Sequence, residues 1–114
     1  MGKIANKYCR KVFITDDNPR NENPKKIREE IIKGCKKNVK NIGNRRMAIY
    51  EAIKELKANE LLLVAGKGHE ITQDYGKKII NFSDKELIKN LIKEGNWSTL
   101  KNINKKNINS LINL

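Results

Sequence analysis

A chain of 114 residues, 38% of them hydrophobic, is long enough for one modest core and too short for a multidomain ATP-driven enzyme. Cys9 and Cys35 form no Cys-x-x-Cys pair, and no apolar run reaches the roughly 20 residues of a membrane span, so we expect a reduced cytoplasmic protein. The net charge of +12 permits a nucleic-acid partner, but lysine and asparagine are abundant along the whole chain, which indicates an AT-rich genome instead.

The first third of the chain is predicted to contain a helix, a strand and a second helix. Apolar residues recur at helical spacing between Met1 and Cys9, and because no capping residue precedes them we expect an upstream strand to be missing. The β-rich run at residues 12–15 predicts a strand that ends in a polar loop. Asn23 and Pro24 suit the start of the second helix. Its expected buried positions are Ile27, Ile31, Ile32 and Cys35, and Cys9 is expected in the core as well.

The remaining elements are predicted by caps and apolar patterns. Residues 39–42 suit a short strand, and the continuous apolar run at residues 61–65 is typical of a strand buried on both faces of a parallel sheet. Residues 78–82 suit another strand, and Ser83 with Glu86 forms a capping box for the last helix. Before these, Asn44 is placed to cap a helix with the apolar positions Ala48, Ile49, Ala52, Ile53 and Leu56.

Alternating helices and strands predict an α/β sandwich whose ligand site lies at the carboxyl ends of its strands. We assign residues 1–95 to this domain and residues 96–114 to an Asn/Lys-rich tail or weak helix. Two polar loops directly follow predicted strands, at residues 17–20 and 66–70. Ligand-binding residues are therefore expected in the 17–20 loop and the 66–70 loop.

The 17–20 loop reads Asp17-Asn18-Pro19-Arg20. Proline fixes the backbone, so the asparagine and the arginine beside it are presented in a defined geometry. A guanidinium held in this way can pair with a carboxylate through two parallel hydrogen bonds. On these four residues alone, an ordinary Asx-Pro turn with a solvated arginine also explains the sequence.

The 66–70 loop reads Gly66-Lys67-Gly68-His69-Glu70 and lacks the spacing of a nucleotide phosphate loop. Its glycines allow close backbone approach to a ligand, and Glu70 can accept from an ammonium group; a tight turn with surface charges is the alternative. A guanidinium in one loop and a carboxylate in the other predict a pocket for a zwitterion such as an amino acid. No metal site and no catalytic residue is assigned, because no cluster of ligating or nucleophilic residues surrounds the single histidine.

Four motifs follow one another along the chain: TDDNPRNENP from Thr15, NRRMAI from Asn44, VAGKGHE from Val64 and FSD from Phe82. In this order they resemble the C-terminal domain of the Mur ligase family, of the type that adds meso-diaminopimelate. The resemblance covers residues 1 to about 94. It implies a Rossmann-like three-layer sandwich with a mostly parallel sheet, whose first strand is missing from this partial domain.

The resemblance also implies the substrate and the residues that bind it. In that family the Asp-Asn-Pro-Arg motif recognises meso-diaminopimelate, and lysine-adding relatives lack its arginine. Asn18 and Arg20 would hold the carboxylate of the distal amino-acid centre, and the Gly66 carbonyl and Glu70 would hold its ammonium. Lysine has no distal carboxylate and would leave the guanidinium unpaired. The implied substrate-binding set is Asp17, Asn18, Pro19, Arg20, Gly66 and Glu70.

The family reaction belongs to peptidoglycan synthesis in the cytoplasm, and so to cell-wall biogenesis, cell shape and division. ATP and Mg²⁺ activate the D-glutamyl γ-carboxyl group of UDP-MurNAc-L-Ala-D-Glu, and an amine of diaminopimelate then attacks it. The nucleotide-sugar and ATPase domains of the family are not among these residues. We therefore expect ATP, Mg²⁺ and the UDP-sugar substrate to be bound outside this chain, and the isolated chain to be an inactive fragment of the ligase.

The alternative function is a small basic nucleic-acid-binding module. Only Trp97 and three tyrosines could stack on bases, and no recognition motif is present, so no nucleic-acid partner is expected.

Overall fold

In a computed structural model, residues 2–94 are described, and the predicted tail at residues 96–114 lies outside them. The helices are α1 (Gly2–Tyr8), α2 (Pro24–Lys33), α3 (Arg45–Glu55) and α4 (Asp84–Glu94), and the strands are β1 (Val12–Ile14), β2 (Val39–Asn41), β3 (Thr72–Asp74) and β4 (Ile79–Asn81). This order confirms a chain of mixed helices and strands. None of these helices is long and apolar enough to cross a membrane.

The chain divides into two compact units. The first unit comprises the described residues up to Ala48 together with Asp74–Ile79, and the second comprises Ile49–Gln73 and the described residues from Ile80 onward. Helix α3 and the strands β3 and β4 therefore contribute residues to both units.

The first unit is built on a strand–helix–strand arrangement. Strands β1 and β2 pair in parallel, with Val12 opposite Val39 and Ile14 opposite Asn41. Parallel neighbours need a long crossover, and α2 supplies it. Asn23 caps α2 as predicted, because its side-chain oxygen accepts a hydrogen bond from the Lys26 backbone N–H at 3.2 Å.

The second unit holds a hydrophobic cluster between α3 and α4. The predicted apolar stripe of α3 is confirmed, since its members are all buried. The predicted caps are confirmed as well: Asn44 accepts from the Met47 N–H at 3.0 Å, and Ser83 accepts from the Glu86 N–H at 3.3 Å. The cluster consists of Ile49, Ile53, Leu87, Ile88 and Leu91, with Leu62, Val64, Phe82 and Ile92 packed against it.

The prediction of a strand buried on both faces at residues 61–65 is wrong. This segment is hydrogen-bonded into neither sheet. Leu62 and Val64 pack on the cluster, whereas Leu61 and Leu63 are exposed. A doubly buried strand needs pairing neighbours and a layer on each face, and the described residues cover one face only. The two sheets have two strands each, of which β1–β2 is parallel, so a three-layer sandwich is not confirmed.

The prediction that Cys9 and Cys35 lie in the core is also wrong. Ile4 and Tyr8 are exposed, and α1 ends at Tyr8, which leaves Cys9 beyond the helix and exposed. Cys35 is only half-buried, as are the isoleucines of α2. The contact between α1 and α2 is made instead at Gly2, where an added Cβ would run into the Ile31 backbone. A contact made by the backbone of a glycine leaves no periodic pattern of apolar side chains, so the sequence could not reveal it.

Candidate functional site

The 17–20 loop leaves the end of β1 and is held by a segment 54 or more residues further along the chain. We call this segment, Asp74-Tyr75-Gly76, the clasp segment. The Asp74 N–H donates to Asn18 Oδ1 at 2.8 Å, and the Asp74 carbonyl accepts from the Arg20 N–H at 2.9 Å. All of these residues belong to the first unit. The loop is therefore anchored on both sides of Pro19, which is buried.

Arg20 is exposed and lies near one carboxylate of the clasp segment. Its backbone adopts a left-handed conformation with φ 54, and 69% of its side chain is exposed. The Nε atom lies 4.0 Å from Asp74 Oδ2. An exposed pair at this separation contributes only about 0–1 kcal/mol, so Asp74 is a weak competitor for a ligand carboxylate.

Asp17 and Asn18 carry the other polar groups of the loop. Asp17 Oδ1 is buried and has no hydrogen-bond partner among the described residues. A buried acceptor without a donor costs about 1–3 kcal/mol, which favours binding of a group that donates to it. The Asn18 side-chain oxygen accepts a hydrogen bond from the Asp74 N–H at 2.8 Å, which fixes the orientation of this amide.

Asp16, whose carboxylate is buried, ties the start of the loop to α2, α3 and the clasp segment. Arg28 of α2 forms an ion pair with Asp16 Oδ1, and the Tyr75 hydroxyl donates to Oδ2 at 3.0 Å. Arg45 of α3 is buried and donates to the Asp16 carbonyl at 3.1 Å. A carboxylate is tolerated in such a place only when it is paired and hydrogen-bonded, so we assign Asp16 and these three partners to the frame of the site.

Sequence reasoning missed most of this frame. The pair Arg45-Arg46 at a helix N-terminus was the one available signal, because arginine there is unfavourable unless an acceptor is near. Arg45 has such an acceptor in Asp16, whereas Arg46 is exposed to solvent.

The Tyr75 hydroxyl gives the frame a measurable pH dependence. Burial raises the pKa of Tyr75 to about 12, and the charge of Asp16 and the hydrogen bond to it act in the same direction. Because this value lies above the ordinary 10.0, the contribution of Tyr75 to stability is complete below pH 10 and is lost as the pH rises towards 12. The absorbance of tyrosinate is followed against pH in the native chain and in Tyr75→Phe. We expect the difference between the two curves to show one phenol that ionises near pH 12. Ionisation of that phenol near pH 10 would contradict the buried contact.

The 66–70 loop is a tight turn in the second unit. Gly66 has φ 110, a conformation that favours glycine, and the Glu70 N–H closes the turn on the Lys67 carbonyl at 3.0 Å. Lys67 is only 2% exposed, and its amine donates to the Thr72 carbonyl. Glu70 is exposed. The lysine is thus engaged in an internal hydrogen bond, whereas the glutamate is exposed to solvent.

The predicted site residues fall in two groups. Asp17, Asn18, Pro19 and Arg20 lie together in the first unit, and Gly66 and Glu70 lie together in the second. A common pocket formed by both groups stays a prediction.

Comparison with known proteins gives consistent similarities. The model of the family described as "Mur ligase, glutamate ligase domain" matches residues 1–68. The chain is 50% identical over 94 residues to a UDP-N-acetylmuramoyl-L-alanyl-D-glutamate–2,6-diaminopimelate ligase of Rickettsia rickettsii, a match that covers 82% of this chain and 20% of that ligase. It is 44% identical over 99 residues to the protein of the same name from Buchnera aphidicola subsp. Baizongia pistaciae, covering 85% of this chain and 20% of the relative.

Proposed function

This chain belongs to the Mur ligase family, and from that premise we propose that it is the amino-acid-binding part of a meso-diaminopimelate-adding ligase. It spans about one fifth of the length of the relatives it matches, so the activity and substrates of a whole ligase are part of the proposal. The observation that carries it is the exposed guanidinium of Arg20 on a loop anchored at both ends.

The 17–20 loop is proposed to bind the distal carboxylate of diaminopimelate. Arg20 supplies a planar fork of donors, and Asn18 is proposed to contact the same carboxylate from the same loop. The contact with Asp74 is made at Nε and is long at 4.0 Å, so Asp74 competes little with a ligand carboxylate for the terminal nitrogens of Arg20. Anchoring by the clasp segment supports this assignment, because a preorganised loop loses less entropy on binding.

Three acceptors are proposed for the distal ammonium group of the same centre. The exposed carboxylate of Glu70 and the Gly66 carbonyl would come from the 66–70 loop, whose turn geometry places the glutamate outward. Asp17 Oδ1 is buried without a partner among the described residues, so it would gain from a charged donor. A carboxylate acceptor satisfies both the charge and the hydrogen bonding of an ammonium group.

In the reaction, this part would hold diaminopimelate so that its proximal amine reaches the activated D-glutamyl carboxyl group of UDP-MurNAc-L-Ala-D-Glu. Its contribution would be orientation and choice of amino acid. On the basis of the family resemblance, Mg²⁺ and ATP are proposed to be bound by parts of the ligase outside this chain. A Rossmann-like sandwich and a cytoplasmic location are proposed on the same family basis.

The nucleic-acid alternative is not favoured. The relatives are named as ligases, and the +12 charge is spread along the chain. The proposal stands on the ligase similarity and on the geometry of the 17–20 loop.

The proposal is tested by replacing the matching 94-residue segment of the Rickettsia rickettsii relative with this chain; we call the product the host ligase. We expect the host ligase to use meso-diaminopimelate about 100-fold better than L-lysine, because lysine leaves Arg20 without a carboxylate. Incorporation of each amino acid into UDP-MurNAc-L-Ala-D-Glu measures this ratio. The unmodified relative is the control, and equal use of the two amino acids by a folded host ligase would refute the proposal.

A further inference from the structure

We propose that the clasp segment positions the 17–20 loop, with Asp74 and Tyr75 as positioning residues that set the direction of the Arg20 guanidinium. Neither residue belongs to the predicted substrate-binding set. The geometric part of this inference stands on the contacts of the first unit alone, and its consequence for substrate choice rests on the proposed function.

The backbone of Asp74 is hydrogen-bonded to the loop on both sides of Pro19. Its N–H donates to Asn18 Oδ1 at 2.8 Å, and its carbonyl accepts from the Arg20 N–H at 2.9 Å. Proline has no N–H to donate, so these two bonds hold the loop through the residues on either side of it. Arg20 adopts its left-handed conformation, φ 54, at the second of them.

The side chain of Asp74 is itself held in place. Its Oδ1 accepts from the Gly76 N–H at 2.7 Å, which leaves Oδ2 on the side of Arg20 Nε, 4.0 Å away. A guanidinium can bind one carboxylate on its Nε side and another at the edge formed by its two terminal nitrogens. With Asp74 on the Nε side, the terminal edge is the one that an external carboxylate would use. Asp74 would thus orient Arg20 without occupying the edge that a ligand requires.

The rest of the clasp segment fixes Asp74 against the loop. The Tyr75 hydroxyl donates to Asp16 Oδ2 at 3.0 Å, and Asp16 directly precedes the loop. Gly76 has φ 84, and an added Cβ would lie 2.6 Å from the Arg20 carbonyl oxygen. The contacts of Asp74 and Gly76, at the two ends of the clasp segment, therefore hold the segment against residues 16–21.

Amide hydrogen exchange in the 114-residue chain tests the geometric part. Tyr75→Phe removes the hydroxyl and keeps the ring, and we expect exchange at the Arg20 and Asp74 amides to rise about five- to tenfold, the effect of one lost hydrogen bond. Tyr8→Phe, at an exposed tyrosine of α1, is the matched control and should change neither amide. The Ile42 amide, bonded to the Ile14 carbonyl in the same unit, reports overall loosening and should stay unchanged. Unchanged exchange at Arg20 and Asp74, or an equal rise at Ile42, would overturn the positioning role.

Asp74→Asn in the host ligase tests the consequence for the substrate. Asparagine keeps an oxygen for the Gly76 N–H and removes the charge beside Arg20. We expect the KM for diaminopimelate to rise by about two- to fivefold while kcat and the KM for ATP stay constant. An unchanged KM would overturn the role of Asp74. If the unsubstituted host ligase did not use diaminopimelate at all, the proposed function would fail, and the exchange measurement would still decide the geometry.

Discussion

Replacing Arg20 with alanine in the host ligase is expected to lower kcat/KM for meso-diaminopimelate by about 100-fold. The proposed partner is a carboxylate, and hydrogen bonds to charged groups contribute about 1.5–3 kcal/mol each, so the loss of a two-bond fork reaches this size. The guanidinium is 69% exposed and lies on an anchored loop, so its removal should leave the fold intact. The rate of amino-acid incorporation measures the effect, and the KM for ATP should not change.

The matched control for this substitution is Arg46→Ala. Arg46 is also an exposed arginine of the first unit, and it follows Arg45 on α3. We expect this variant to use diaminopimelate as the unsubstituted host ligase does. Arg20→Lys should fall between the two, because lysine keeps the charge and loses the fork. Full activity in Arg20→Ala would show that another residue binds the distal carboxylate.

Replacing Ile53 with alanine is expected to destabilise the chain by about 3 kcal/mol. Ile53 is only 1% exposed and lies within the cluster between α3 and α4. Truncating a fully buried isoleucine removes apolar contacts and leaves a cavity, which costs about 2–5 kcal/mol. Urea unfolding followed by circular dichroism measures this change in the free energy of unfolding.

Ile71→Ala is the matched control, since Ile71 is 70% exposed in the same unit. The same atoms are removed, but little buried surface is lost, so we expect a change below about 0.5 kcal/mol. Equal destabilisation by the two substitutions would contradict the position assigned to the cluster.

The parts of the fold that the sequence could predict are those with local causes. Asn23, Asn44 and Ser83 each cap a helix through a bond to an N–H three residues further on, so a few adjacent residues determine the helix start. The apolar stripe of α3 was predictable for the same reason. The structure of residues 61–65 was not predictable, because a strand also depends on the neighbours that pair with it.

The candidate site shows the same division between local and distant causes. The 17–20 loop could be identified from its own four residues, since proline and arginine carry their geometry and chemistry with them. The residues that hold the loop could not be identified in this way, because Asp74 contacts Asn18 across 56 residues of chain and Tyr75 contacts Asp16 across 59. The signal Asp-x-Gly at residues 74–76 indicates a turn and says nothing of what the turn touches.

A crystal structure of the host ligase with meso-diaminopimelate bound is the most direct test of the proposal that the 17–20 loop and the 66–70 loop bind one ligand. We expect the distal carboxylate to accept from both terminal nitrogens of Arg20 at about 2.7–2.9 Å, and the distal ammonium to contact the Glu70 carboxylate. Diaminopimelate bound by other residues, with Arg20 still facing Asp74, would contradict this mode of recognition.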